Sequence, residues 1–424
     1  MNSNQRVLLV LLAACLIAGA ATGVTLYFRL AYLWAGVLLF SWVMSLLALR
    51  GVKIQRKART SRSQVGQIFE ERYEVQNTGL MPRLWIEVRD QSPLPGSQGS
   101  HVLTMIGGRE SRMYLARARL TQRGVFPLGP TDLISGDLFG LFPVSRRFPH
   151  QDSLLVYPMM VDVLNFPNPP GLLPGGEALR RRTSQITSNA AGVREYEPGD
   201  PLNRIHWVST ARRNRLMVKE FELDPLAEVW IFVDAAKVVH ASRPHTVAEF
   251  NPQDVWRKRY KFSLPPSTLE YAVTSSASLA RFYLQRSRAV GLVTSGGTVR
   301  VLPSDRGGRQ LGKILEVLAL LQADGATPLQ AAIEAQARHL PRGSTVIFVT
   351  PSSSDNIYRM ADMLLRRGLR PVAVLIDAAT FGGYFSSEKL QASLRALNVP
   401  SCLLKDGDEL SEVLSSAVMS FHFG

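Results

Sequence analysis

The sequence predicts a multidomain chain with an N-terminal transmembrane helical hairpin, a β-rich sandwich-like domain and a C-terminal α/β domain. Three observations carry this expectation. Two long apolar stretches open the chain, short alternating runs bounded by Gly, Pro and Asn follow, and from Ala227 strand-like runs alternate with helix-length segments. About 370 residues remain beyond the hairpin, more than one typical domain holds.

Residues Val7 to Phe28 are apolar except for Thr22 and Thr25. At 1.5 Å per residue, a helix of that length spans roughly 33 Å, enough for a bilayer core. Ala31 to Leu49 is nearly as long and has only Ser41 and Ser45 as polar residues. The turn is expected at Phe28, Arg29 and Leu30, with Tyr27, Tyr32 and Trp34 near it as an interfacial belt. Residues 1–51 then form a helical hairpin with both ends on one side.

Arg6 precedes the hairpin, whereas Arg50, Lys53, Arg56, Lys57, Arg59 and Arg62 follow it closely. The positive-inside rule therefore places both ends and the soluble portion in the cytoplasm, as a multi-pass protein of the cytoplasmic membrane. The immediate second stretch and the lack of an Ala-x-Ala site argue against a cleaved signal peptide. The formal charge of +15 would ordinarily raise nucleic acid as a partner. Because part of the excess lies at residues 50–62, anionic lipid headgroups are the simpler expectation, with no specific nucleic acid. Two cysteines, Cys15 and Cys402, provide neither a disulfide framework nor a thiolate metal site.

Residues 52–157 contain runs such as QIFEERYEV, RLWIEVRD and SRMYLARARL, which read as antiparallel strands of a sandwich. RGVFPLGP (Arg123 to Pro130) and SGDLFGLFPV (Ser135 to Val144) supply turns, with Gly136 and Gly140 allowing tight geometry and Phe139, Leu141 and Phe142 expected to close the core. A structural turn is the stronger reading of the second segment, and a binding groove the weaker. Residues 158–191, rich in Pro, Gly and Arg, read as a linker or wrapping arm; the run Arg180, Arg181, Arg182 suits a solvated face.

Residues 192–226 hold the densest pattern. From Gly192 to Glu222, six basic and five acidic side chains surround an aromatic and Gly-Pro framework. Asp200 follows Pro198 and Gly199 in an expected turn, and Arg194, Arg204 and Arg212 are potential bidentate partners for its carboxylate. Trp207 and Ile205 are expected to anchor the segment. Arg194, Tyr196, Asp200, Arg204, Trp207 and Arg212 thus form a candidate inter-domain brace or protein-interaction site, the brace being favoured.

Residues 227–424 begin with the strand-like AEVWIFVD. A helix at Leu269 to Gln285, RAVGLVTSGG, a helix at Leu311 to Leu321, STVIFVTP, a helix at Ile357 to Arg367 and RPVAVLID follow. Leu390 to Leu397, Pro400 to Leu404 and Glu409 to Ser420 complete an open α/β fold with a mostly parallel sheet. Such sheets bind ligands beyond the carboxyl ends of their strands, which singles out Asp234, Thr294, Ser295 and Thr350. Asp234 invites Mg²⁺ as a carboxylate ligand, but Ala235, Ala236, Lys237 and Val238 bring no hydroxyl and Lys237 is placed to neutralise it, so a capping role is favoured and no metal is expected. Thr350 and Ser352 to Ser354 equally suit a helix N-cap. The long connection from Ala236 to Thr268 carries Trp256 and the basic cluster Arg257, Lys258, Arg259 and Lys261, and is expected either to be disordered or to fold over the sheet near Asp234.

No HExxH spacing, nucleophile motif or Walker A loop is present. His206 with Asp200 is the one candidate proton-transfer pair, against a packed, hydrogen-bonded histidine. No catalytic residue and no cofactor are expected.

The chain resembles the DUF58 family of bacterial and archaeal membrane-associated proteins. The resemblance rests on Gly192, Arg194, Tyr196, Pro198, Gly199, Asp200, Arg204, Ile205, Trp207, Ala211, Arg212, Phe221 and Glu222. It extends to Arg123, Gly124, Leu128, Gly129, Pro130, Asp137, Phe139 and Gly140. It implies a von Willebrand factor A-like α/β domain after a β-rich region, and an association with MoxR-type AAA+ ATPases in assembly or maturation of complexes. In such domains an Asp-x-Ser-x-Ser motif binds metal; here those positions are Asp234, Ala236 and Val238, so both hydroxyls are missing. The expectation is a membrane-anchored interaction or scaffolding factor acting on an unknown client. The alternative is a metal-dependent or hydrolytic enzyme of the cell envelope.

Overall fold

A computed structural model of the chain describes residues 3–149, 152–167, 190–197, 205–221, 228–245 and 263–416. They fall into two compact units, one running to Met159 and the other starting at Met160.

The first unit opens with α1 (Ser3–Thr22) and α2 (Thr25–Ala48), both long and apolar enough to cross a bilayer. The turn between them lies at Gly23 and Val24, not at Phe28 to Leu30. Gly23 takes φ +66°, a left-handed conformation that glycine adopts without steric cost, and its N–H bonds the Gly19 carbonyl. A side chain at Gly19 would meet the Phe28 ring at 3.2 Å, so the helices approach closely there. Arg29 therefore sits inside α2, and Trp34 lies roughly 14 Å along it, away from the turn.

Ten strands follow: β1 (Val52–Ala58), β2 (Arg62–Gln64), β3 (Ile68–Asn77), β4 (Arg83–Asp90), β5 (His101–Ile106), β6 (Ser111–Arg119), β7 (Gly124–Pro127), β8 (Thr131–Ser135), β9 (Val144–Phe148) and β10 (Ser153–Tyr157). They make one sheet of β1, β3 and β6, a second of β5, β4, β8 and β9, and a small third of β2, β10 and β7. The alternation read in QIFEERYEV is real: Phe69, Glu71, Tyr73, Val75 and Asn77 of β3 all point inward. Tyr73 and Val75 share a core with Ile86, Val88, Ile106 and Leu133 from the facing sheet, so the two sheets pack as a sandwich.

An ion cluster lies inside this sandwich. Arg56 donates to Glu71 through Nε (2.8 Å) and Nη2 (2.7 Å), and to Asp90 through Nη1 (2.9 Å). The side chains are 2–3% exposed. Burial alone would raise Asp90, but hydrogen bonds from Ser92 and Ser97 together with the Arg56 charge hold its carboxyl below the usual range. Arg83 performs a related task at the other end of β4, donating to the Leu47 carbonyl (2.5 Å) and the Arg50 carbonyl (2.6 Å) at the C-terminus of α2. A cation there satisfies orphan carbonyls and the helix dipole together.

The second unit begins with a strap. Val161 donates its N–H to Ser278 Oγ, Arg281 donates to the Val161 carbonyl, and Tyr283 donates to the Pro167 carbonyl, with Phe166 edge-on to Tyr283. Residues 160–167 thus lie along a helix of the α/β domain; 168–189 are outside the described residues. The remaining elements are β11 (Ala190–Glu195), α3 (Trp207–Arg213), β12 (Met217–Phe221), β13 (Val229–Val233), α4 (Thr268–Gln285), β14 (Val290–Thr294), β15 (Arg300–Asp305), α5 (Gly308–Ala319), α6 (Leu329–Ala337), β16 (Thr345–Thr350), α7 (Asp355–Arg366), β17 (Arg370–Ile376), α8 (Glu388–Ala396), β18 (Ser401–Leu404) and α9 (Leu410–Ser416).

Strands β13 to β18 form one sheet in the order β15, β14, β13, β16, β17, β18, parallel except for β15. Every residue of β13, β14 and β16 is buried, as continuous apolar runs covered on both faces require. The sequence reading did not anticipate β15 and α6. β15 is a mostly exposed edge strand interrupted by Pro303, whereas α6 buries Leu329, Ala332, Ile333 and Ala337 at helical spacing in a short, alanine-rich segment.

Arg56→Met leaves Glu71 and Asp90 buried without a counter-charge, a loss of about 3–5 kcal/mol. Denaturant unfolding of the full chain in detergent checks this. Arg59→Met, which removes a partly exposed pair with Glu70, should shift stability by less than about 1 kcal/mol.

Candidate functional site

The carboxyl ends of β13, β14 and β16 bring Asp234, Ser295 and Thr350 together. Thr350 Oγ1 donates to Asp234 Oδ2 at 2.7 Å; Oδ1 accepts the Ala236 N–H at 3.1 Å and the Ser295 hydroxyl at 3.2 Å. These three residues are 0–2% exposed. Hydroxyls missing from the residues after Asp234 are thus supplied by two neighbouring strands, which parallel pairing places at the same edge. Thr294 is buried too, but its hydroxyl has no hydrogen-bond partner; consecutive strand residues face opposite sides of the sheet.

The loops beyond these strands close over the carboxylate. Ala236 pairs with Gly325 in a parallel bridge, and Lys237 N–H bonds the Gly325 carbonyl. Gly325 lies so close to Gly296 that a Cβ would fall 1.6 Å from the Gly296 carbonyl carbon. His240 Nε2 donates to the Asp234 carbonyl at 2.9 Å and Nδ1 meets Thr268 Oγ1 at 2.9 Å. The described ends of the long connection, 236–245 and 263–268, meet beside Asp234, joined by the Ser242 and Ser267 bridge. Trp256 and the basic cluster at 257–261 lie outside the described residues. Lys237 points to solvent, so hydroxyls and a backbone N–H, not an ammonium, meet the carboxylate.

Burial pushes the Asp234 carboxyl upward, and hydrogen bonds from Thr350 and Ala236 offset only part of it. Among the described residues no group of three or more His, Cys, Asp or Glu side chains surrounds it. Both carboxylate oxygens are engaged by these donors and the site is closed to solvent, so as arranged it offers no open positions for the waters that Mg²⁺ retains.

The charged segment forms a small substructure. β11 pairs antiparallel with β12, Ile205 bridges Val218, and Ile205, Met217 and Val218 are buried. Tyr196 N–H bonds the Leu216 carbonyl. His206 is the N-cap of α3, its Nδ1 meeting Ser209 Oγ at 2.7 Å and accepting the Ser209 N–H. His206 is thus hydrogen-bonded and half-buried, while its candidate partner Asp200 lies outside the described residues. Trp207 does not anchor the segment: it is 67% exposed beside exposed Val208, because it opens α3 on the outward face while Ile205 faces in. Arg212 is exposed, and Arg194 stands opposite Val218 in the ribbon. Asp200 and Arg204 lie outside the described residues.

Sequence reasoning missed an apolar group at the same edge of the sheet. Tyr384 is 96% exposed, Phe385 72% and Val238 88%. Tyr384 and Phe385 follow Gly382 (φ +91°) in the loop after β17, whose base is held by Asp377 accepting from Ser386 Oγ and the Ser387 N–H. Arg243, five residues beyond Val238, packs at Gly382 and pairs with Asp406 at 3.6 Å. The signal was available in FGGYFSS, where two adjacent aromatics follow a glycine pair with no strand or helix period to bury them.

A family profile described as "Protein of unknown function DUF58" matches residues 192–246. The chain is 22% identical over 343 residues to the uncharacterized protein YeaD of Bacillus subtilis (strain 168), covering 78% of each. These matches support the DUF58 family. Among solved structures, the conserved hypothetical protein BatB of Bacteroides thetaiotaomicron aligns at 14% identity and TM-score 0.31, covering 46% of this chain and 98% of that one. The CARDB domain of a Pyrococcus furiosus protein aligns at 13% identity and TM-score 0.18, covering 25% and 91%. Likeness at that level carries no argument here.

A carboxyl group raised in the folded state gives up stability as pH climbs from its unfolded value, about 4, through its folded value. Asp234→Asn removes that loss, so its stability relative to wild type should improve as pH rises above about 4, by up to about 1.4 kcal/mol per pH unit within the titration window. Thermal melts across pH test this; a pH-independent offset would refute the raised carboxyl. Gly325→Ala should cost about 1–3 kcal/mol through overpacking against Gly296, read in the same melts.

Proposed function

We propose that this chain is a membrane-anchored protein-interaction scaffold. In this reading α1 and α2 span the cytoplasmic membrane, with the soluble units in the cytoplasm as the positive charge after Leu49 suggests. The second unit serves as a von Willebrand factor A-like domain. The strand order around β13, with an acidic residue at its carboxyl end, supports that assignment. The partner it implies is a MoxR-type AAA+ ATPase acting with an unknown client in assembly or maturation of a cell-envelope or membrane-associated complex.

The observation that carries the reading is the contrast at the carboxyl edge of the sheet. Asp234, which would hold a metal or do acid–base work, is buried with both carboxylate oxygens hydrogen-bonded, while Val238, Tyr384 and Phe385 stand in solvent on braced loops. Aromatic side chains displayed on a rigid frame are the material of interface hot spots. The enzymatic alternative would need an open cleft with free polar groups. At Asp234 that cleft is missing, and His206 has its Nδ1 engaged in a helix cap, which favours the interaction reading.

Binding of the full chain in nanodiscs to a purified MoxR-type ATPase from the same cell, with and without ATP, tests the proposal. Phe385→Ser combined with Tyr384→Ser should weaken binding by roughly thirtyfold, equivalent to about 2 kcal/mol at a hot spot. Asp234→Asn should leave it within about twofold, well below a hot-spot effect. Unchanged affinity in the aromatic variant would remove this edge as the docking site.

A further inference from the structure

We propose that the first unit is seated in the lipid interface by two apolar loops, 137–142 and 78–81, so that the β-domain rests on the bilayer and does not hang from a flexible tether. This rests on the reading that α1 and α2 cross the membrane.

The loop 137–142 is tied to both helices at the hairpin's open end. Gln5, the third residue of α1, donates to the Leu141 carbonyl, and Ser45, one turn before the end of α2, donates to the Phe142 carbonyl at 2.7 Å. Phe142 then reaches further along the hairpin, lining an apolar crevice of about 510 Å³ with Leu9, Leu38, Leu39 and Trp42. Trp42 is six residues inside the end of α2, roughly 9 Å along the axis. If the helices are in lipid, this loop enters the same layer. Beside it Leu138 and Phe139 are 58% and 53% exposed.

The loop is built to leave water. Asp137, 1% exposed, accepts the Phe139 N–H at 3.0 Å and the Phe142 N–H at 2.7 Å, and Gly140 N–H bonds the Asp137 carbonyl. Backbone groups at membrane depth must be satisfied internally, and here the carboxylate does it.

The second loop lies at the same junction, at the end of α2. Thr78 bonds the Gly51 carbonyl through both N–H and hydroxyl, and Arg83 caps α2 as described. These contacts hold Leu80 (76% exposed) and Met81 (59% exposed) beside the end of α2. The exposed apolar surface of the helices therefore continues onto the β-domain, and exposed Arg50 and Lys53 rim it. Apolar tips inside a basic rim match an anionic headgroup layer over acyl chains, not a protein surface.

The test uses the full chain in phosphatidylcholine/phosphatidylglycerol vesicles with single nitroxide labels in a Cys15→Ala background. Cys402 stays, since burial pushes its thiol up to about 12 and out of labelling range. Labels go at Phe139→Cys and Leu80→Cys, at Val10→Cys on the exposed face of α1, and at Tyr384→Cys as an aqueous reference. Expected is a several-fold higher ratio of oxygen to nickel-chelate collisions at 139, 80 and 10 than at 384. Labels at 139 and 80 that behave like 384 while 10 reports lipid would overturn the seat and leave the anchor standing. Low collision with both reagents would mean a protein cover, a second copy or a partner, and also overturn it. If position 10 behaves like 384, anchor and seat fall together.

Discussion

The Asp234 carboxylate is the interaction around which the second unit is organised. Its two oxygens gather the ends of three adjacent parallel strands, through Ser295 from β14, Thr350 from β16 and the turn of its own strand β13. An acid buried this deeply is costly unless its lone pairs are filled, and the strand order fills them. The loops then have to close. Gly325 sits against Gly296 with no room for a Cβ, and His240 ties the outgoing chain back to the Asp234 carbonyl. Around the closed centre, among the described residues, Val238, Tyr384 and Phe385 stand exposed in the loops.

The first unit solves a comparable problem with opposite charges. Arg56 links β1 to Glu71 on β3 and Asp90 at the end of β4, so one guanidinium spans both sheets of the sandwich. A buried triad of this kind adds little to stability against an apolar substitute, yet removing one member is severe. At the other end of β4, Arg83 grips the last carbonyls of α2. The helical hairpin and the sandwich are thereby one hydrogen-bonded body at their junction, which gives the loops 78–81 and 137–142 a fixed position beside the helix ends.

Much of the fold was legible because its signals are local. Alternation in QIFEERYEV gave β3, all-apolar runs gave β13, β16 and β17, and the helical segments α4, α5, α7 and α8 start and stop within a few residues of where their periodicity places them. Misreadings came where local signals were weak or rivalled. The hairpin turn fell at Gly23 because backbone freedom there outweighed the polarity of Arg29. The edge strand β15 breaks its pattern with Pro303, and α6 is too short and alanine-rich to stand out. Trp207 read as an anchor by its size, but helix phase turned it outward.

By itself the sequence determined the order of the parts: an apolar hairpin, a β-rich region, an α/β region with Asp234 at a strand end, and a dense charged segment between them. Periodicity and composition are enough for that, since each depends on neighbours within one element. Only the tertiary structure decided that Ser295 and Thr350 supply the hydroxyls absent after Asp234, that Arg56 meets two carboxylates from other strands, and that Leu138 and Phe139 flank the hairpin's open end. Those pairings join residues from 15 to 136 positions apart, and nothing local encodes them. They follow from which strands lie side by side, which burial of the whole apolar surface selects.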